Sequence, residues 1–283
     1  MKPAPFDLER PTRLDEVLAL LARHGSDARL IAGGQSLVPL MNLRMATPAL
    51  LIDLNRVEGL AGIRLDGAWL RVGAMTRQKQ LMSDPLIAAH APLVAKAMPH
   101  IGHVQTRSRG TIGGSLAHAD PSAELPVAMV ALGAMLTLRS AQGERTIAAR
   151  EFFLDVLSTA LQPADVLIEI AIPAAPAGTR AAFAEFARRH GDFAIASCAA
   201  QYVPDAKAPR LDVALGGVGN VPHHCSGLCA AMAAAGFARA AIEHAVDDEV
   251  ARLAPLQDLQ ADAALRRQLA RVGLSDCLRE VLP

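Results

Sequence analysis

Aromatic side chains are scarce: they make up 3% of the 283 residues, with a single tryptophan (Trp69) and a single tyrosine (Tyr202). Proteins that hold single-stranded nucleic acid stack bases on such rings, so that function is poorly served. Charge of one sign is missing too. Lys plus Arg and Asp plus Glu both number 28, which leaves no net field to draw the chain onto a polyanion. No apolar run reaches the roughly 20 residues that span a bilayer. The longest candidate, Leu125 to Leu138, is broken by Pro126 and Gly133. The opening Met1-Lys2-Pro3-Ala4-Pro5 has no apolar stretch behind it, so it does not read as a secretory signal, and a cytoplasmic location is expected.

Cysteine is also thin. Four residues (Cys198, Cys225, Cys229, Cys277) are too few for a disulfide scaffold in a chain of this length. Cys225 and Cys229 stand four apart with His223 and His224 just upstream, but without a second pair the spacing is a weak zinc signal, and no metal is expected.

What is present is an ordered globular composition, 52% hydrophobic and 20% charged, with length for two domains or one large one. Thr12 is placed to cap a helix running to about His24, closed by Gly25. Arg29 to Ala32 reads as a strand ending at Gly33-Gly34, and Ser36 as the cap of a helix over 37–43. Ala49 to Leu54 reads as a buried strand, and 62–65 with 69–72 as a hairpin about Asp66-Gly67-Ala68. Helices are expected over 77–83 and 87–98, and from Ser122 through Leu132 with Gly133 as its stop. Strands follow over 134–139 and 165–172. The Pro- and Ala-rich stretch 173–178 marks a boundary. Beyond it three antiparallel strands (182–188, 194–202, 211–216) precede an Ala-rich helical tail that ends in an amphipathic segment over 262–282. The fold class is α+β.

Two glycine pairs carry the chemistry: Ala32-Gly33-Gly34-Gln35-Ser36 and Thr111-Ile112-Gly113-Gly114-Ser115. Glycine at a strand end permits backbone angles closed to side chains and lets a ligand approach the main chain. If a helix follows, unpaired N–H groups converge to favour an anion such as phosphate. One such site contributes only about 0.3–1 kcal/mol at a surface, so a dinucleotide would need more than one. Neither loop matches GxGxxG or GxxxxGK[ST], and a lone Gly-Gly is more often a plain turn, so spacing alone leaves both readings open.

The wording of the loops narrows them. Ala32 to Leu37, with Pro39 and Met41-Asn42-Leu43-Arg44, resembles the first FAD loop of the molybdenum hydroxylase flavoproteins. These are the medium subunits of carbon monoxide dehydrogenase-type enzymes and the central domain of xanthine dehydrogenases. Gln105 to Pro121 resembles the second loop and the approach to it. Asp165 to Ile170, Arg188 to Ala194, Ala214 to Gly219 and Ala264 to Leu269 resemble later segments in the family's order, so the resemblance covers nearly the whole chain.

The resemblance implies a two-lobed FAD-binding domain of the vanillyl-alcohol-oxidase (PCMH) type over 1–176, with lobes of about 1–56 and 57–176. A C-terminal domain over 177–283 would hold a three-stranded antiparallel sheet and helices. It implies non-covalent FAD, with the pyrophosphate against Ala32, Gly33, Gly34, Gln35 and Ser36 and against Thr111, Ile112, Gly113, Gly114 and Ser115, and with Leu37 and Ile101 also among the cofactor-binding residues. Glu124 matches an acidic position near the adenosine end, with Asp120 a polar neighbour. Leu167 or Ile168 and Ile195 match positions lining the flavin. Phe193 either shields one ring face or is a strand's core residue. His100, His103 and His118 sit near the second loop and read as solvated loop residues.

No catalytic acid, base or nucleophile is implied. The job is electron transfer, with molybdopterin on a large partner subunit and a [2Fe–2S] cluster on a small one, assembled as a dimer of heterotrimers. Substrate and electron acceptor lie outside the chain. The rivals are a self-contained FAD oxidase of the same fold, against which the first loop lacks a tethering histidine, and a scaffold that has lost its flavin.

Overall fold

The computed structural model describes residues 2–205 and 208–283; Met1, at the head of the segment read above, lies outside them. The first lobe runs β1 (Asp7–Glu9), α1 (Leu14–His24), β2 (Ala28–Ile31), α2 (Leu37–Asn42) and β3 (Leu50–Asp53). Its three strands are parallel in the order β1-β3-β2, so β3 is central. Parallel strands demand crossovers, and α1 supplies one, burying Val17 and Leu21 on the sheet. The α1 cap differs from the expectation: Arg13 is the N-cap, and the Glu16 carboxylate accepts from the Thr12 and Arg13 amides at 3.0 and 3.3 Å. An acid at the third helical position replaces the hydroxyl.

The second lobe begins with the hairpin β4 (Ile63–Asp66) and β5 (Trp69–Gly73). Then come α3 (Gln78–Ser83), α4 (Pro85–His90), α5 (Pro92–Ala97), α6 (Val104–Arg109), α7 (Ile112–His118) and α8 (Glu124–Leu132). The single helix expected over 87–98 is two, because Pro92 has no N–H to continue the first and opens the second instead. α8 starts two residues later than expected and stops at Gly133 in a left-handed cap. The lobe closes with β6 (Met135–Ser140), β7 (Gly143–Ala148), α9 (Ala149–Phe152), β8 (Phe153–Asp155), β9 (Ser158–Thr159) and β10 (Val166–Pro173). Its five-stranded sheet is antiparallel, β4-β5-β10-β6-β7. Past Glu124, α8 is apolar all round, and all of it is buried, as a helix covered on every side must be.

The C-terminal part holds β11 (Arg180–Phe186), β12 (Ala196–Val203), β13 (Arg210–Gly216), β14 (His223–His224), α10 (Ser226–Ala234), α11 (Ile242–Arg252) and α12 (Ala263–Val281). The three expected strands are present, but the sheet has four: two-residue β14 pairs with β13 at the edge. Asp262 caps α12, its carboxylate accepting from Leu265 N at 2.7 Å. One face of this sheet packs on α5 and α8 and the other on α12, so it is a wall shared by two cores. Ala199 and Ala214 belong to the first core, and Cys198, Ala200 and Leu215 to the second, as strand alternation requires.

Candidate cofactor site

The two glycine segments meet, but they are built differently. The first is a loop leaving β2. Gly34 has φ +72°, a conformation glycine adopts without strain, and a β-carbon at Gly33 would lie on the Arg109 carbonyl and 2.8 Å from the Gly110 Cα. Gln35 folds back, its amide donating to Gly33 O at 3.1 Å. Among the described residues the backbone N–H groups of Gly33, Gly34, Gln35 and Ser36 donate no hydrogen bond. Ser36 is the N-cap of α2 as expected, without a side-chain cap bond.

The second segment is not a turn. Thr111 is the N-cap of α7, and Gly113 and Gly114 lie inside that helix. Its amides are already engaged: Ile112 N donates to Thr76 O at 3.1 Å, Gly113 N to Ala74 O at 2.8 Å, Gly114 N to Thr111 Oγ1 at 3.0 Å and Ser115 N to Thr111 O at 3.1 Å. This corrects the expectation of two equivalent nests. The glycines here serve contact: a β-carbon at Gly113 would stand 2.6 Å from Ala74 Cβ, while one at Gly114 would touch Ala32 Cβ at 3.6 Å. Ile112 is fully buried in the core.

A polar chain that the sequence reading missed ties the segments together. Asn55 Nδ2 donates to Ala32 O at 2.9 Å, Arg77 donates to Asn55 Oδ1, and Arg77 also donates to Arg109 O. Burial, and then the nearby Arg109, hold the Arg77 guanidinium below its ordinary value. These residues lie 22 and 32 positions apart, so no local pattern could have paired them.

The first loop faces a cleft of about 500 Å³. Phe6, Leu8, Ile31, Val38 and Leu51 give it apolar walls, while Arg10, Asp53, Asn55 and Arg109 give it polar ones. Unpaired amides, a loop only glycine fits and half-apolar walls suit a dinucleotide.

Glu124, Ile101, Leu167, Ile168, Phe193 and Ile195 are not among the residues that line this cleft. Glu124 opens α8, and burial pushes its carboxyl up to about 7, its own backbone N–H pulling down and Asp120 adding repulsion. Ile101 is buried and Ile195 half-buried. Leu167 lies in the main core, whereas Ile168 is partly exposed against the first lobe. Phe193 is 68% exposed, which rejects its reading as a core residue. His100 is not a solvated loop histidine: its ring lies 5.2 Å from that of Phe183, and burial, then His190, depress its pKa.

Arg266, inside the segment Ala264 to Leu269, is 4% exposed and holds this region. It donates to the carbonyls of Ile195 and Gly217 and, at 2.7 Å, to Asp258. Gly217 N in turn donates to Pro121 O at 2.9 Å, linking α12 to the segment between α7 and α8.

His223, Cys225 and Glu249 bring ligand-type atoms within 4.8 Å of one another. Their bonding is that of an ion pair. Glu249 accepts from His223 at 2.8 Å, Arg252 at 2.9 Å and Leu228 N at 3.0 Å; although burial raises its pKa, these bonds hold it below the usual range. Burial pushes the Cys225 thiol well up, away from the thiolate that binds metals.

A two-lobed unit carrying a glycine loop of free amides, with a sheet-and-helix unit packed on its α5 and α8, defines a dinucleotide-binding flavoprotein of the PCMH type. The chain belongs to the molybdenum hydroxylase flavoproteins: residues 4–175 match the FAD binding domain in molybdopterin dehydrogenase, and 181–281 the CO dehydrogenase flavoprotein C-terminal domain. It is 39% identical to the 6-hydroxypseudooxynicotine dehydrogenase complex subunit alpha of Paenarthrobacter nicotinovorans, over 100% of this chain and 96% of that protein. Solved structures share its fold. Carbon monoxide dehydrogenase from Hydrogenophaga pseudoflava matches with a TM-score of 0.96 at 37% identity, covering 99% and 98% of the two chains. Quinoline 2-oxidoreductase from Pseudomonas putida 86 matches with 0.93 at 34%, again covering 99% and 98%. The chain is thus an FAD-binding flavoprotein subunit of an oxidoreductase. No helix among the described residues is long and apolar enough to cross a membrane.

Proposed function

We propose that the chain is the electron-transfer flavoprotein of a multi-subunit molybdenum hydroxylase, taking electrons from a [2Fe–2S] small subunit and passing them to an external acceptor. A molybdopterin-binding large subunit would oxidise the substrate, and the whole would assemble as a dimer of heterotrimers in the cytoplasm. The observation that carries the reading is the row of unspent amides from Gly33 to Ser36, in a loop whose Gly33, Gly34 and Gln35 line the cleft. When bound, FAD supplies the exchange between one-electron and two-electron carriers.

The chain's own residues bind and orient. Gly33 to Ser36 would take the pyrophosphate through the backbone, with the Ser115 hydroxyl and the Thr111 backbone completing the cradle from α7. Asp120 and Glu124 would meet the sugar hydroxyls. Ile101, Ile168 and Ile195 would border the ring, with exposed Phe193 covering an edge, and core-bound Leu167 is the weaker member of its pair. Neither glycine segment carries a histidine, cysteine or tyrosine, so the cofactor is held non-covalently. In this reading 1–176 binds the cofactor through lobes of about 1–56 and 57–176, and 177–283 is the C-terminal domain, a division supported by the absence of any sheet that crosses these bounds among the described residues.

The relatives are named for nicotine derivatives, carbon monoxide and quinoline, so the shared flavoprotein does not select the substrate. The test is the visible spectrum of the purified chain after denaturation. Free FAD in the supernatant is the expected result; flavin precipitating with protein would mean a tethered oxidase, and a colourless chain that takes up no FAD would sink the reading. Co-purification of molybdenum- and iron–sulfur-bearing subunits tests the assembly.

A further inference from the structure

The loop leaving β13, Gly216 to Val221, has the same unspent backbone as the loop leaving β2. Gly217 has φ +71°, and a β-carbon there would stand 2.4 Å from Ile195 O, so only glycine fits. The loop is anchored at both ends. Gly217 N donates to Pro121 O, the Gly217 carbonyl accepts from Arg266, and Asn220 Nδ2 donates to Asp155 Oδ1 at 2.6 Å. Between these anchors, the N–H groups of Val218, Gly219, Asn220 and Val221 donate no hydrogen bond among the described residues. Val218 is only 3% exposed, and an N–H left unpaired in so buried a residue is rare in native proteins.

The same four residues line a cleft of about 310 Å³ that shares no lining residue with the first one. Two cations line it as well, Arg150 on α9 and Arg252 at the end of α11. Arg150 gives Nε to Val130 O at 3.3 Å and stands 3.6 Å from Asp212; Arg252 gives one N–H to Glu249 at 2.9 Å. A guanidinium carries five N–H donors, so each keeps several to offer. His224 on β14 is a third polar wall, and its Nε2 is buried without a hydrogen-bond partner. Burial, then Arg150, depress its pKa, leaving a neutral ring with one N–H to give.

Among the described residues no carboxylate lines this cleft. The nearby acids are engaged elsewhere. Asp212 pairs with Arg210 at 2.7 Å, Glu249 accepts from His223, Arg252 and Leu228 N, and Asp155 accepts from Asn220 and Val156 N. The remaining walls are apolar: Val130, Pro222, Leu253 and Ala254.

We propose that this cleft is a second anion site, one that takes the phosphate of a mononucleotide on the amides of 218–221 and the Arg150 and Arg252 guanidinium groups. Convergent amides and forked guanidinium donors are the two devices that hold phosphate oxygens. The space exceeds what a bare phosphate fills, and the apolar walls offer a surface for a flat ring. The loop is already fixed in place by glycine and by its two anchors, so little ordering opposes binding.

The experiment titrates the full chain, with FAD bound so that the first loop is occupied, with adenosine monophosphate and separately with inorganic phosphate, following backbone amide shifts by NMR. The amides of Val218 to Val221 should shift and saturate with both, and the mononucleotide should bind at least about tenfold more tightly. Arg150→Gln should weaken the mononucleotide by about tenfold or more, the loss of one charge-assisted hydrogen bond, with the flavin retained. Shifts confined to other residues, or no shift, would overturn the proposal. Equal affinity for the two probes would overturn its nucleotide half and assign the site to free phosphate, and wild-type affinity in Arg150→Gln would remove the guanidinium from it. The site stands apart from the FAD reading. A chain that takes up no FAD would overturn that reading, and the shifts of 218–221 would still decide this one.

Discussion

The two glycine segments look alike in the sequence and differ in how their amides are used. From Gly33 to Ser36 the N–H groups donate to nothing among the described residues, and Gly33, Gly34 and Gln35 line a cleft, whereas from Ile112 to Ser115 each one has a protein acceptor. The first is a binding surface. The second is the platform it rests on, with Gly114 under Ala32 and Gly113 against Ala74. Glycine thus does two jobs in one site, backbone exposure in one segment and close helix docking in the other.

Substitutions can break this comparison, and the largest effect belongs to the platform. Gly113→Val forces a side chain into Ala74 and should cost about 3 kcal/mol or more of stability, read as a large drop in melting temperature with flavin loss only as a consequence. A soluble, normally melting Gly113→Val chain would show that the platform is not packed as described. Next comes Gly34→Val. A β-branched residue at φ +72° beside Val38 should weaken FAD binding at least about 100-fold, roughly 2.7 kcal/mol, while secondary structure is retained. Equal losses of fold in these two variants would erase the distinction between the segments. The smallest effect is expected of Arg77→Met, which cuts the bridge from Asn55 to Arg109. It should lower stability by about 1–2 kcal/mol and FAD affinity by about tenfold, because the loops survive but lose their register. Unchanged affinity there would mean that the loops are fixed by packing alone.

Local pattern made much of this legible. The hairpin at Asp66-Gly67, the run Leu50–Asp53 and the strand Val166–Pro173 announce themselves by alternation and turn residues, and Gly133 marks its helix end. α6 went unread because Val104–Arg109 has no apolar stripe, and none of its residues is buried. Gly113-Gly114 was mistaken for a turn because glycine is a poor helix former, and only tertiary packing against Ala74 explains it there. Of the site, the loop residues were legible through their wording, but Asn55, Arg77 and Arg266 were not. Each bonds to a group far along the chain, and an isolated Asn or Arg in sequence carries no sign of its partner.

The first strand has one more consequence. Phe6, Leu8 and Arg10, which wall the cleft, sit on or beside β1, three exposed residues hung by parallel pairing on β3 alone. Such an edge strand is among the first elements to fray, and its detachment opens the cleft along one side without disturbing either core. A bound dinucleotide would pin it. The amide protons of Asp7 to Glu9 therefore exchange with solvent on a clock set by cofactor occupancy, which makes the least buried strand of the chain its most direct gauge of flavin loading.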